Sequence, residues 1–105
     1  MKNQKKGESK VMKKYKRHFR IYLRKKHPAY ITDEANNNFI FHKVSHSKRI
    51  SGKNTFKIDD NPIVGDYRPM YISKNRQQDK KNRFSKEKLK TKKGVDISYP
   101  FIDKK

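Results

Sequence analysis

The chain has 105 residues and a formal net charge of +20, because 30 Lys and Arg stand against only 10 Asp and Glu. It has no cysteine, which excludes disulfides and cysteine-ligated zinc, and no apolar run near the roughly 18 residues that a membrane span needs. Its hydrophobic fraction of 30% allows one small domain with a small core. We therefore expect a cytoplasmic protein with no cofactor, no membrane contact and an anionic partner, most commonly RNA or DNA.

The positive charge is concentrated at the two ends of the sequence. Residues 1–26 carry a net charge of +11 and residues 73–105 a net charge of +8, whereas residues 27–72 carry +1. We predict a disordered basic arm over residues 1–10 and a single small domain over 11–105. In that domain, basic flanks at 11–26 and 73–93 surround a β core at 27–72. Such flanks bind phosphate backbones without reading sequence.

The first periodic segment, residues 11–24, fits two kinds of element. Aromatic and apolar residues recur at helical spacing at Met12, Tyr15, Phe19 and Tyr22. From Phe19 to Leu23, however, apolar and polar residues alternate as in a strand. We favour a helix that gives way to a strand near Arg20.

The middle of the chain predicts strands at residues 29–32, 39–44, 55–58 and 69–73. Pro28 marks the start of the first, because proline pushes the residue before it toward extended geometry. The Asp- and Asn-rich residues 33–38 predict a turn that joins the first two strands into a hairpin.

A second helix is predicted after the last strand. It would start with Ser85 as its N-cap, run to about Lys93 and stop at Gly94. Residues 95–102 are apolar enough to pack back on the sheet. The predicted architecture is a sheet or barrel of four or five short strands, flanked by one or two basic helices.

The hairpin would bring His27, before its first strand, close to Ser45 and His46, after its second. Cleavage of RNA without a metal needs a base for the 2′-hydroxyl, an acid for the leaving 5′-oxygen and positive charge for the pentacovalent phosphate. Imidazoles supply the proton transfers near neutral pH, and Lys48 or Arg49 the charge.

Other residues can be explained by a structural role instead of a functional one. His42 alternates with Phe39 and Phe41, so it faces solvent or lines a groove, and a structural role is favoured. No third ligand accompanies His42 and His46, and no metal site is predicted. Tyr67 and Tyr71, which lie near Arg68 in the sequence, either stack on nucleobases or belong to the core.

Three short segments resemble the MazF/PemK/ToxN superfamily of toxin endoribonucleases, which have a small SH3-like barrel. They are His27-Pro28-Ala29-Tyr30-Ile31, Val44-Ser45-His46-Ser47-Lys48 and Arg68-Pro69-Met70-Tyr71-Ile72. The resemblance implies that His27, or Lys26, stands at the basic catalytic position and Ser45 at the Thr/Ser position. It implies that Lys48 matches a lysine of the ToxN-like members, and that an antitoxin, an acidic protein or an RNA, is a partner.

Together these observations predict an α+β fold, a small SH3-like antiparallel β-barrel or sheet with one or two basic helices. The predicted function is nucleic-acid binding, directed at RNA, with metal-independent endoribonuclease activity as an extension. The alternative is a non-catalytic basic protein of a mobile element, nucleoid or ribonucleoprotein particle. The candidate catalytic residues are His27, Ser45, His46 and Lys48. The candidate nucleic-acid-binding residues are Lys26, Lys43, Ser47, Arg49, Lys53, Arg68 and Tyr71.

Overall fold

A computed structural model describes residues 15–46 and 55–103, and there the chain forms a five-stranded antiparallel sheet. The strands are β1 (His18–Tyr22), β2 (His27–Ala35), β3 (Asn38–Ser45), β4 (Thr55–Ile58) and β5 (Met70–Lys80). They lie side by side in the order β1, β2, β3, β5, β4. Two 3₁₀ turns follow, at Lys81–Arg83 and Pro100–Asp103. A helix with the length and apolar character needed to span a bilayer is absent from these described residues.

The hairpin predicted in the middle of the chain is confirmed. β2 and β3 pair antiparallel, and the chain reverses between them over Asn36 and Asn37. Asn36 has a φ of 56°, in the left-handed region that asparagine tolerates better than most side chains. The strand predicted at 55–58 is also confirmed, whereas the one predicted at 69–73 continues to Lys80. The strands thus extend into both basic flanks.

Alternating side chains give the sheet an apolar cluster on each of its two faces. The cluster on the first face consists of Phe19, Tyr30, Val44, Ile58, Met70, Ile72, Ile97 and Tyr99. The cluster on the second face consists of Tyr22, Ala29, Ile31, Phe39, Phe41 and Phe84. Much of the sheet is therefore covered on both sides, although the chain is short of aliphatic residues.

The chain after β5 closes the open edge of β1 and then covers the first face. Backbone hydrogen bonds join Ser85 N–H to the Ile21 carbonyl at 2.9 Å and Leu89 N–H to the Phe19 carbonyl at 2.7 Å. An edge paired in this way offers fewer free backbone groups to another chain. Residues 97–102 then pack on the first-face cluster, so the prediction that this segment returns to the sheet is confirmed.

The predicted α+β fold with basic helices is wrong, because the described residues form an all-β structure without an α-helix. The helix proposed at 11–24 is replaced by β1 from His18 onward, and residues 11–14 lie outside the described part. Phe19 and Tyr22, which share a face in a helix, belong here to clusters on opposite faces of the sheet. Pairing with β2 therefore overrides the helical spacing.

The helix proposed at 85–93 is also wrong. Ser85 caps no helix: its Oγ accepts a hydrogen bond from Ile21 N–H at 3.0 Å and donates to the Glu87 carbonyl at 2.9 Å. Gly94 closes a tight turn with Thr91 through two backbone hydrogen bonds of 2.9 and 3.0 Å. Its φ of 111° suits glycine. Helix propensity is a weak preference, and the edge of β1 outweighs it.

Candidate nucleic-acid interface

The predicted site residues that the structure describes lie toward one end of the sheet. Here β1, β3 and β4 end and β2 and β5 begin. Ser45 and Lys57 are both paired with Tyr71, on either side of β5. At this end the pairing of β2 with β3 stops at Ala29 with Lys43, and His27 and Ser45 each lie two residues beyond that pair.

His27, Ser45, Tyr71 and Lys57 therefore form one row across the sheet, which we call the terminal row. Residues opposite one another in a sheet project from the same side, so the row belongs to the second face. Lys43, two residues before Ser45 on β3, shares that face. Sequence reasoning missed Lys57, because its place in the row depends on how β4 pairs with β5.

The terminal row carries positive charge that the described part of the protein does not neutralise. His27 and Lys57 are exposed, and Ser45, Tyr71 and Lys43 are half-buried. Neither Lys43 nor Lys57 forms an ion pair with an acidic side chain in residues 15–46 and 55–103. Both ammonium groups are thus available to an external anion. The half-buried Tyr71 has a ring held by the sheet and partly open to solvent.

Two other predicted residues, Arg68 and His46, lie near a carboxylate. Arg68 donates two side-chain hydrogen bonds to Asp66, at 2.6 and 2.9 Å. The Arg68 guanidinium holds the pKa of Asp66 well below its usual range, and the nearby His46 lowers this pKa further. The charge of Arg68 is therefore partly compensated within the chain. Lys26 is exposed in the turn that precedes His27.

Four predicted residues lie outside the part of the chain that the structure describes. They are the candidate catalytic Lys48 and the candidate binding residues Ser47, Arg49 and Lys53.

A second group of polar and charged side chains surrounds His42, on the first face. A bulge in β5 makes this arrangement: between the pairs His42–Arg76 and Val44–Ile72, three residues of β5 lie opposite one residue of β3. Ser73 stabilises the bulge, because its Oγ accepts a hydrogen bond from Asn75 N–H at 3.1 Å. The Ser73 carbonyl is 2.8 Å from Nδ1 of His42.

His42 lines a cavity of about 420 Å³ that carries charges of both signs. The lining residues are Arg17, Thr32, Asp33, His42, Lys74, Arg76, Ile102 and Asp103. Arg17 binds both carboxylate oxygens of Asp103, at 2.8 Å each. Lys74 and Arg76 are exposed and form no ion pair with any carboxylate in the described ranges. Two uncompensated cations therefore lie beside the buried imidazole.

Part of this cavity could be expected from the sequence. The alternation around His42 predicts that its side chain faces solvent or lines a groove, and the structure agrees with the second alternative. The same alternation favours a structural role and does not by itself indicate a binding site. The sequence does not distinguish Arg17, Lys74 and Arg76 from the other cations of the basic flanks. The bulge that aligns them with His42 has no clear sequence pattern.

His18 shows what a purely structural histidine looks like in the same sheet. It is 1% exposed, its Nδ1 lies 2.8 Å from the Lys16 carbonyl, and its Nε2 accepts a hydrogen bond from Arg20 Nε at 2.9 Å. Arg20 also donates to the carbonyls of Ser85 and Lys86, at 2.9 and 2.8 Å. Both ring nitrogens are thus satisfied within the chain, and Arg20 is committed to fixing the segment beside β1.

The described residues contain no group of three His, Cys, Asp or Glu side chains that could hold a metal ion. The arrangement instead offers imidazoles, ammonium groups and one partly open aromatic ring. Groups of these types are used by nucleic-acid-binding proteins to contact phosphates and to stack on bases.

Comparison of the chain with protein-family models, curated proteins and solved structures finds no match. The resemblance to the MazF/PemK/ToxN superfamily therefore stays a prediction, and the functional argument rests on the residues themselves.

Proposed function

We propose that the protein binds nucleic acid, RNA in preference to DNA, in the cytoplasm. The observation that carries this proposal is the terminal row together with Lys43, where the uncompensated cations Lys43 and Lys57 lie on the same sheet face as the partly open Tyr71. The overall charge supports it. The described residues alone contain 19 Lys and Arg against 9 Asp and Glu, so they carry a net charge of +10 that ion pairing among them does not remove.

In this proposal Lys43 and Lys57 contact phosphates, and Tyr71 stacks on a base between them. Phosphate contacts supply affinity without sequence preference. Stacking of one base on an aromatic side chain contributes about 1–3 kcal/mol. Single strands suit this arrangement, because their bases are free to stack on a protein ring.

The test compares two double variants of the full chain that remove equal charge. Lys43→Gln with Lys57→Gln removes one cation of the terminal row and one cation next to it on the same face. Lys16→Gln with Lys80→Gln alters exposed lysines toward the opposite end of the sheet. Binding of a fluorescein-labelled single-stranded RNA is measured by anisotropy over a range of KCl concentrations.

The first variant should weaken binding and make the slope of log K against log [KCl] shallower by about 1.4, since each lost contact to a single strand removes about 0.7. The second should leave the slope close to that of the unmodified protein. Equal slopes for the two variants would show that the terminal row is not the binding surface. Absence of salt-sensitive binding by the unmodified protein would overturn the proposed function itself.

A second candidate function, metal-independent RNA cleavage, is favoured by the position of His27 and Ser45 at the same end of the neighbouring strands β2 and β3. In this reaction one imidazole accepts the 2′-hydroxyl proton as the 2′-oxygen attacks phosphorus, and a protonated imidazole gives its proton to the leaving 5′-oxygen. The products are a 2′,3′-cyclic phosphate and a 5′-hydroxyl. An antitoxin partner belongs to this second candidate alone.

Incubation of the protein with labelled RNA in EDTA tests the cleavage hypothesis. The expected result is cyclic phosphate ends, and their loss when His27→Ala and His46→Ala are combined. Intact RNA would exclude cleavage under these conditions, and full activity of the double variant would exclude this site assignment.

A further inference from the structure

The cavity around His42 carries an inference that rests on the proposed function and goes beyond it. His42 is 4% exposed, yet it lines a cavity of about 420 Å³ that also contains Lys74 and Arg76. This cavity lies on the first face of the sheet, whereas the terminal row lies on the second. The two features are therefore distinct surfaces.

The hydrogen bond to Ser73 fixes the tautomer of His42. A backbone carbonyl only accepts, so Nδ1, at 2.8 Å from the Ser73 oxygen, must carry the proton. In a neutral imidazole the other nitrogen, Nε2, is then an acceptor. Nε2 has no hydrogen-bond partner among residues 15–46 and 55–103, in contrast to Nε2 of His18, which accepts from Arg20.

His42 remains neutral because of its surroundings. Burial lowers the pKa of His42 most. The hydrogen bond to the Ser73 carbonyl raises this pKa, whereas the positive charges of Arg76 and Arg17 lower it. A buried acceptor without a donor costs free energy. A ligand that brings a hydroxyl or amine donor to Nε2 would recover that energy.

The first feature of the cavity is the acceptor Nε2 of His42, and the second is the positive charge beside it. Arg76 is the cross-strand partner of His42, and Lys74 precedes it in the bulged part of β5, where its Nζ lies 4.8 Å from the centre of the Phe56 ring. On the other side of the cavity, Arg17 is occupied by Asp103, and Asp33 adds a carboxylate. An anionic group is therefore favoured on the β5 side.

A ligand that fits both features has a hydrogen-bond donor directly next to a phosphate. In RNA the ribose 2′-hydroxyl is on the carbon adjacent to the one that bears the 3′-phosphate, whereas DNA lacks this hydroxyl. The cavity volume lies in the range of sites that take small molecules, which is enough for a ribose with its phosphate.

We propose that the His42 cavity recognises RNA, with Nε2 of His42 accepting a hydrogen bond from a ribose 2′-hydroxyl while Lys74 and Arg76 hold the adjacent 3′-phosphate. The cavity thereby distinguishes RNA from DNA, and the terminal row supplies affinity that is the same for RNA and DNA.

The first experiment uses the unmodified protein and three single strands of the same sequence: RNA, DNA and 2′-fluoro RNA. The 2′-fluoro strand keeps an RNA-like sugar but has no donor at the 2′ position. RNA should bind about threefold to tenfold more tightly than the other two strands at one salt concentration, as expected for one hydrogen bond. Equal binding of RNA and 2′-fluoro RNA overturns the inference. It leaves the proposed nucleic-acid binding intact, because that binding is overturned only if no strand binds in a salt-sensitive way.

The second experiment uses His42→Asn. An asparagine amide reaches the position of Nδ1 and keeps a donor for the Ser73 carbonyl, but it places nothing where Nε2 was. The variant should bind RNA as weakly as the unmodified protein binds 2′-fluoro RNA, with DNA binding changed by less than about twofold. Its fold is checked by circular dichroism. A folded variant that keeps the full preference for RNA overturns the inference, and the first experiment decides it if the variant does not fold.

Discussion

Removal of one buried hydroxyl, by Tyr30→Phe, tests how the segment after β5 is held on the sheet. Tyr30 is fully buried, and its hydroxyl donates to the Ile97 carbonyl at 2.7 Å and accepts from Tyr99 N–H at 3.1 Å. Phenylalanine keeps the ring and its packing but leaves both backbone groups without their partner. Each buried group left unpaired costs about 1–3 kcal/mol, so we expect a loss of about 2–4 kcal/mol after some relaxation.

Urea unfolding, followed by circular dichroism and extrapolated to zero denaturant, measures this change in the free energy of unfolding. Thermal unfolding should show a Tm lower by at least about 8 °C, since each kcal/mol corresponds to about 4–8 °C in a domain of this size. Tyr67→Phe is the matched control, because Tyr67 is 82% exposed and its hydroxyl should contribute less than about 0.5 kcal/mol. If the two variants unfold within about 0.5 kcal/mol of each other, the proposed attachment of the segment is wrong.

Three further predictions follow from buried or half-buried side chains. Burial lowers the pKa of His18 and His42, so the unfolded chain binds protons that the folded chain does not. Stability should be complete above pH about 6.5 and fall below it; a Tm that stays constant or rises from pH 6.5 to 5 would contradict this. Ser73→Ala should cost about 1 kcal/mol in urea unfolding, because the bulge loses its hydrogen bond to Asn75 N–H. Tyr71→Leu should weaken RNA binding by about 1–3 kcal/mol without changing the salt slope; a changed slope would argue against stacking.

The part of the fold that depends on neighbouring residues could be predicted from the sequence. The hairpin of β2 and β3 combines alternating apolar residues with an Asn-rich turn, and β4 is a short alternating run. These signals are local, and the structure agrees with them.

The part that depends on distant residues could not be predicted. β1 is a strand because β2 lies on one side of it and the segment around Ser85 and Leu89 on the other, more than 60 positions away. The sequence of this segment is compatible with a helix, and nothing local reveals that its backbone pairs with β1. The expected basic helices fail for this reason.

The candidate sites divide in the same way. His27 and Ser45 could be brought together from the hairpin alone, whereas Tyr71 joins them only through the pairing of β5 with β3. Lys57 and the His42 cavity depend on the pairing of β5 with both of its neighbours and on the bulge at Ser73. Sequence reasoning therefore placed His27 near Ser45 but predicted neither the complete terminal row nor the cavity on the opposite face.

The salt dependence of RNA binding tests the central claim most directly. The affinity of the full chain for a single-stranded RNA is measured between about 50 and 200 mM KCl. If six or more phosphates are contacted, the slope of log K against log [KCl] should be about −4 or steeper, and the affinity should fall by about 10²–10⁴ over this range. A slope shallower than about −1, or no binding at the lowest salt concentration, would contradict the claim that this protein binds nucleic acid through its uncompensated cations.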